Sequence, residues 1–213
     1  MRNGRMSVIG ALVVASAVLT ACQGATSPGE SSAPPPSSSA PPSSAAPSAS
    51  PSPTPKHADE NGPGENLPVP KLPDAAKEHT EKGAAAFVEF YFDLANYSSE
   101  VRDTTELERF TSKDCNRCEK GLLEPIWLLQ DTESWEVGLV YKAKITKSEL
   151  RENNRAQVIF SMTYSGSKVF DGSNGPAKTF PAREKPILSV ASLVFHEGRW
   201  ITETVVFDGQ EPD

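Results

Sequence analysis

The chain has 213 residues, a formal net charge of −7 at neutral pH and three cysteines. An acidic balance without a Lys/Arg cluster argues against a nucleic-acid partner and against electrostatic docking on anionic lipid. Composition splits the chain sharply: fourteen of the nineteen prolines lie between Pro28 and Pro73, and all sixteen aromatic residues lie at Phe87 or later.

Arg2 and Arg5 open the chain and precede an apolar run from Met6 to Leu19, rich in Ala, Val and Leu. Such a run is too short to span a bilayer comfortably and fits a secretory signal h-region. It ends in Leu19-Thr20-Ala21-Cys22. This tetrad resembles the lipobox of bacterial lipoproteins, in which an aliphatic residue and two small ones precede the cysteine that is lipidated. The resemblance implies that residues 1–21 are a signal peptide and that Cys22 carries the lipid. The mature chain is then anchored at the extracytoplasmic face of the cell membrane. Removing Arg2 and Arg5 takes the formal charge from −7 to −9.

Residues 22–66 read as a Ser/Pro/Ala-rich tether. A segment without large apolar groups cannot offset its ordering entropy, so disorder with extended polyproline-like stretches is expected. Such a tether lifts the domain off the membrane. The boundary falls near Leu67, and residues 67–213 suffice for one domain.

Within that domain, Thr80 can cap a helix over "EKGAAAFVEFYFDLANYSS", where Phe87, Tyr91, Leu94 and Tyr97 recur at helical spacing. Phe90 and Phe92 widen that face, so the helix is expected to bury two sides. Asp103 and Glu106 make a capping signal for a short second helix. A third is expected from Asp114 to Gln130, with Pro125 bending it or marking its true start. After Trp135 the period becomes two. Val137, Leu139, Tyr141, Ala143 and Ile145 alternate with Glu136, Gly138, Val140, Lys142 and Lys144. Val158 to Tyr164 alternates again, a Gly/Ser/Asn turn region spans Gly166 to Gly175, and Ile187 to Phe195 is apolar on both faces. Gly198 in "HEGR" can supply the positive φ of a hairpin before the last strand, Trp200 to Phe207. Helices followed by four or five antiparallel strands give an α+β fold, its N-terminal helices packed on one face of a curved sheet.

That order, closing in "FHEGRWITETVVF", resembles the nuclear transport factor 2-like (SnoaL-like, cystatin-like) cone. More closely, "LPDAAKEHTEKGAAAFVEFYFDLANYS" and "SKDCNRCEKG" resemble an actinobacterial lipoprotein domain of unknown function, DUF6318. There a GA-x-x-F-x-x-[YF][YFW] helix precedes a C-x-x-C, downstream of a Ser/Pro-rich tether. The resemblance implies a fold and a cell-surface setting, and no activity.

Chemistry is sparse. His57, His79 and His196 lie in the tether, before the first helix and in a hairpin turn, so none serves as an inward base. Asp93 is the best carboxylate for a proton-transfer role, although acids on amphipathic helices usually face water. Tyr91, Tyr141 and Tyr164 could line a pocket with it, although aromatics at these spacings are more often core. There is no G-x-S-x-G, Walker loop, H-E-x-x-H or G-x-G-x-x-G. No second C-x-x-C or paired His accompanies Cys115 and Cys118, so neither a metal nor a cofactor is expected.

The Cys115/Cys118 pair itself is open to three readings. A thioredoxin-like motif would follow a strand, whereas "ELERFTS" reads as helix. A metal site lacks partners. A structural disulfide is favoured outside the membrane, in a first turn capped by Ser112 or Asp114. The expected function is a lipid-anchored, non-catalytic binding or cell-envelope accessory module. The alternative is a small-molecule carrier or enzyme using the cone pocket. A thiol oxidoreductase would require an exposed Cys115.

Overall fold

The computed structural model describes residues 53–207, all within one unit, Ser50–Asp213. The expected signal peptide, Cys22 and the tether as far as residue 52 lie outside the described residues.

The first helix, α1 (Glu81–Val101), starts where expected: Thr80 accepts a hydrogen bond from the Gly83 N–H at 2.9 Å. Such a cap contributes about 1 kcal/mol. A 3₁₀ turn, Asp74–Lys77, folds back against this end. α1 buries both sides, as its double apolar face implies. Phe87 and Phe90 meet Phe110 on one side, and Phe92 lies 5.4 Å from Phe160 of the sheet on the other.

Three short helices follow: α2 (Thr105–Glu108), α3 (Asn116–Cys118) and α4 (Glu124–Asp131). The single helix expected over 114–130 is thus broken. A π-helical turn, Glu119–Leu123, separates α3 from α4, and Pro125 sits in the first turn of α4. Proline lacks the N–H that would continue the ladder and its ring crowds the carbonyl four residues back, so the chain widens before it.

Among the described residues, seven strands follow in two antiparallel sheets. The larger, in the order β2-β3-β6-β7, holds β2 (Tyr141–Arg151), β3 (Arg155–Tyr164), β6 (Arg183–His196) and β7 (Arg199–Phe207). Register shifts at Ile145/Lys147, Met162/Tyr164 and Ser192/Leu193 interrupt its ladders. Bulges of this kind bend strands, and α1 lies across the resulting hollow face. Ala156, Val158, Phe160 and Met162 of β3, with Leu193 and Trp200, fill the space beneath it. The protein is α+β, with helices packed on a curved antiparallel sheet.

The smaller sheet, in the order β1-β4-β5, was not anticipated. It holds β1 (Trp135–Val137), β4 (Ser167–Phe170) and β5 (Lys178–Phe180). The alternation after Trp135 therefore covers two strands in different sheets. The break is at Gly138, whose φ of +92° suits glycine and whose position lies against the Gly166 carbonyl.

Residues 56–65, assigned by composition to the tether, are packed on the domain. Lys56 and Glu65 exchange backbone hydrogen bonds at 2.8 Å, and Gly64 N–H donates to the Glu100 carbonyl at 2.8 Å. Trp135 Nε1 donates to the Asp59 carbonyl at 2.7 Å. Apolar content missed this segment because main-chain hydrogen bonds hold it, and Gly62 and Gly64 are buried. A boundary near Leu67 is too late for these residues.

Candidate functional site

Where the two sheets meet, a cavity of about 440 Å³ opens between β2, β3, the end of β7 and the turn before α4. That size lies within the ~300–1,000 Å³ typical of ligand pockets. Tyr141, Tyr164, Phe180 and Phe207 supply its aromatic lining, and Glu136 and Arg183 its charges. The Tyr141 and Tyr164 rings meet edge to face, 6.1 Å apart at 69°.

Several contacts hold this wall in place. Asn96 on α1 pairs with the backbone of Tyr141 in both directions, Tyr141 N–H to Oδ1 at 2.7 Å and Nδ2 to the carbonyl at 3.0 Å. Glu136, half-buried on β1, accepts hydrogen bonds from the buried Ser167 hydroxyl on β4 and from Ser99 on α1, the latter at 3.3 Å. Two hydroxyl donors suit the ionised carboxylate, which accepts only. Burial pushes the Tyr141 phenol up to about 12, and the nearby Glu136 charge and Tyr164 add to it. The wall thus presents a phenol beside a hydrogen-bonded carboxylate.

Of the four residues expected to share a pocket, Tyr141 and Tyr164 line the cavity, whereas Tyr91 and Asp93 do not. Tyr91 is in the core, its hydroxyl 2.9 Å from Thr111 Oγ1, and burial raises its phenol to about 12. Asp93 lies on the exposed side of α1, where partial desolvation raises its carboxyl. Residues 91 and 93 project about 200° apart, so with Tyr91 in the core Asp93 faces water.

Glu136, Phe180 and Arg183 escaped the sequence reading. Uniform alternation puts Glu136 opposite Leu139 and Tyr141, yet all three line the cavity, because the phase is reset at Gly138. A glycine inside an alternating run was the available signal.

Cys115 and Cys118 form a disulfide, with Cα atoms 5.2 Å apart. Cys115 caps α3, accepting a hydrogen bond from the Cys118 N–H at 3.1 Å. The segment before it is more extended than "ELERFTS" suggests: Thr111 bridges Thr202 of β7 in parallel, flanked by 2.8 Å backbone hydrogen bonds from Ser112 and to Phe110. Cys115 is only 3% exposed and Cys118 fully buried, so neither sulfur presents the accessible thiol that exchange requires. Among the described residues no cluster of three or more His, Cys, Asp or Glu could hold a metal ion. Nor is any helix among them long and apolar enough to cross a membrane.

No sequence among curated proteins matches this chain. Among solved structures, it is similar to the intermembrane space region of the chloroplast protein ARC6, at 12% identity and a TM-score of 0.42 over 60% of this chain and 95% of that one. It is also similar to a five-substitution variant of an NTF2-like design, at 11% identity and a TM-score of 0.37 over 60% of this chain and 99% of that one. Residues 53–206 match the family of unknown function DUF6318, and the chain belongs to that family.

Proposed function

We propose that this protein is a lipid-anchored extracytoplasmic binding module whose α+β domain holds a small, largely apolar molecule. One observation carries the reading: a ligand-sized cavity of about 440 Å³ whose aromatic wall includes a carboxylate already oriented by two hydroxyls. Binding sites combine an apolar body with a few placed polar groups in this way. The anchor rests on the sequence from Arg2 to Cys22, and the Ser/Pro-rich segment after it supplies reach from the membrane.

The test is to isolate the protein from its own membranes and identify what it carries by native mass spectrometry and organic extraction. A small molecule should leave with the wild-type chain and be lost from Leu139→Trp, which fills the cavity. Equal recovery from both would overturn the reading. Mass spectrometry of the mature N-terminus tests the anchor, and an unmodified Cys22 thiol would sink it.

A further inference from the structure

We infer that the cavity selects an organic cation, a substituted ammonium with an apolar body. The inference rests on the binding reading above and names the ligand class.

The central observation is the state of Glu136. Its two carboxylate oxygens each accept one hydroxyl, from Ser167 and Ser99. A carboxylate offers about four acceptor sites, so capacity remains on both oxygens. The lysine and arginine ion pairs of Lys56, Lys77, Arg109, Lys147, Arg151 and Arg155 go to other carboxylates, Asp59, Asp74, Glu106, Glu149 and Glu203. The charge is half-buried at the wall of an apolar cavity. A neutral ligand covering it would strip its remaining water and return at most a hydrogen bond, leaving the charge uncompensated, which is costly. An ammonium compensates that loss directly.

The aromatic lining points the same way. Faces of tyrosine and phenylalanine attract cations, and cages of such rings recognise quaternary ammonium groups. Tyr141, Tyr164 and Phe207 line the same cavity as Glu136. Phe180 already holds an ammonium, since Lys178 Nζ lies 4.5 Å from its ring centroid. A metal ion is the wrong cation here, because hard divalent ions need several oxygen ligands and the cavity offers one carboxylate.

Two positive groups stand nearby, Lys178 and Arg183. Both are exposed, so water and salt weaken their repulsion of a bound cation. The half-buried carboxylate acts through a lower dielectric and dominates. Arg183→Gln should therefore tighten cation binding about two- to threefold at low salt.

The experiment is an amide NMR titration of the full chain with three probes of one chain length: hexyltrimethylammonium, 1-hexanol and hexanoate. The amides of Leu139, Tyr141 and Phe207 report the cavity. Hexyltrimethylammonium should bind at least about tenfold more tightly than hexanol, with hexanoate weakest. Glu136→Gln should bring the cation down to the affinity of hexanol. Tyr164→Leu should weaken the cation and Tyr164→Phe restore it, a comparison that holds even if Glu136→Gln does not fold. Equal or tighter binding of hexanol or hexanoate at these amides overturns the cation and leaves the binding reading standing. Silence at these amides with all three probes overturns both.

Discussion

Trp200 donates its indole N–H to the Glu78 carbonyl at 3.0 Å, joining the last strand to the turn before α1 across 122 residues of sequence. The indole is fully buried and stacks edge to face on Phe195 at 5.0 Å. Trp200→Phe keeps an aromatic ring but leaves that carbonyl without its donor and opens space beside it. The expected cost is about 2–3 kcal/mol, read as a lower urea midpoint at unchanged m-value. An unchanged midpoint would show that the bond contributes nothing.

The same carbonyl limits Gly83. A Cβ built there would lie 2.1 Å from the Glu78 oxygen and 2.8 Å from the Ala75 oxygen, and both neighbours are backbone. Gly83→Ala should therefore cost about 2–3 kcal/mol although alanine is the better helix former. Displacing the Glu78 carbonyl also breaks its bond to Trp200. The two substitutions are then coupled, and the double variant should lose less than the sum of the singles, as denaturant unfolding of all four proteins would measure.

Gly83 also marks what the sequence could show. The sequence shows a glycine at the start of the helix, but its reason, a 3₁₀ turn folded onto the helix end, needs a contact that no local pattern encodes. Thr80 and the two-sided face of α1 were legible, because capping and helical periodicity act within one turn. β4 and β5 were not legible, since three- and four-residue strands in a Gly/Ser-rich stretch carry too little alternation. Tyr141 and Tyr164, which the sequence offered as possible pocket residues, line the cavity. Glu136 was lost because Gly138 moves the chain from one sheet to the other.

Alkaline pH should unfold the domain through its buried phenols. Burial raises both Tyr91 and Tyr141 to about 12, against an ordinary value of 10.0. The folded state thus holds these protons more tightly than the unfolded one. Their contribution is complete below pH 10 and is lost as pH rises toward 12, on the order of 2 kcal/mol each. Unfolding free energy measured across that window should fall, and Tyr141→Phe should flatten the decline. A slope unaltered by that substitution would contradict the assignment.

Reduction of the disulfide should cost stability and leave small-molecule binding intact. Closing so short a loop is worth about 2 kcal/mol by chain entropy. Cys115 shares a cleft with Glu108, Thr111 and Trp127, and neither cysteine lines the cavity of Tyr141 and Glu136. The Cys115→Ser/Cys118→Ser double variant should melt earlier yet bind the cavity probe as wild type does. With both sulfurs buried, dithiothreitol should reduce the native chain far more slowly than the chain in urea. Equally fast reduction in the two conditions would reopen a redox role for the pair.

The N-terminal segment gives the sharpest test of where folding begins. A chain starting at Leu67 lacks the Asp59 carbonyl, so the Trp135 indole N–H loses its 2.7 Å acceptor. Trp135 is buried and stacks on Phe170 at 5.9 Å, which ties the loss to the small sheet. Glu100 loses the Gly64 N–H on its carbonyl and the Ala58 N–H on its carboxylate. Two broken main-chain contacts and one stranded indole predict about 2–4 kcal/mol of destabilisation relative to a chain starting at Pro53. Because β1 carries both Trp135 and Glu136, the shorter chain should also weaken ligand binding while α1 keeps its helicity by circular dichroism. Identical melting and binding in the two chains would return residues 53–66 to the tether.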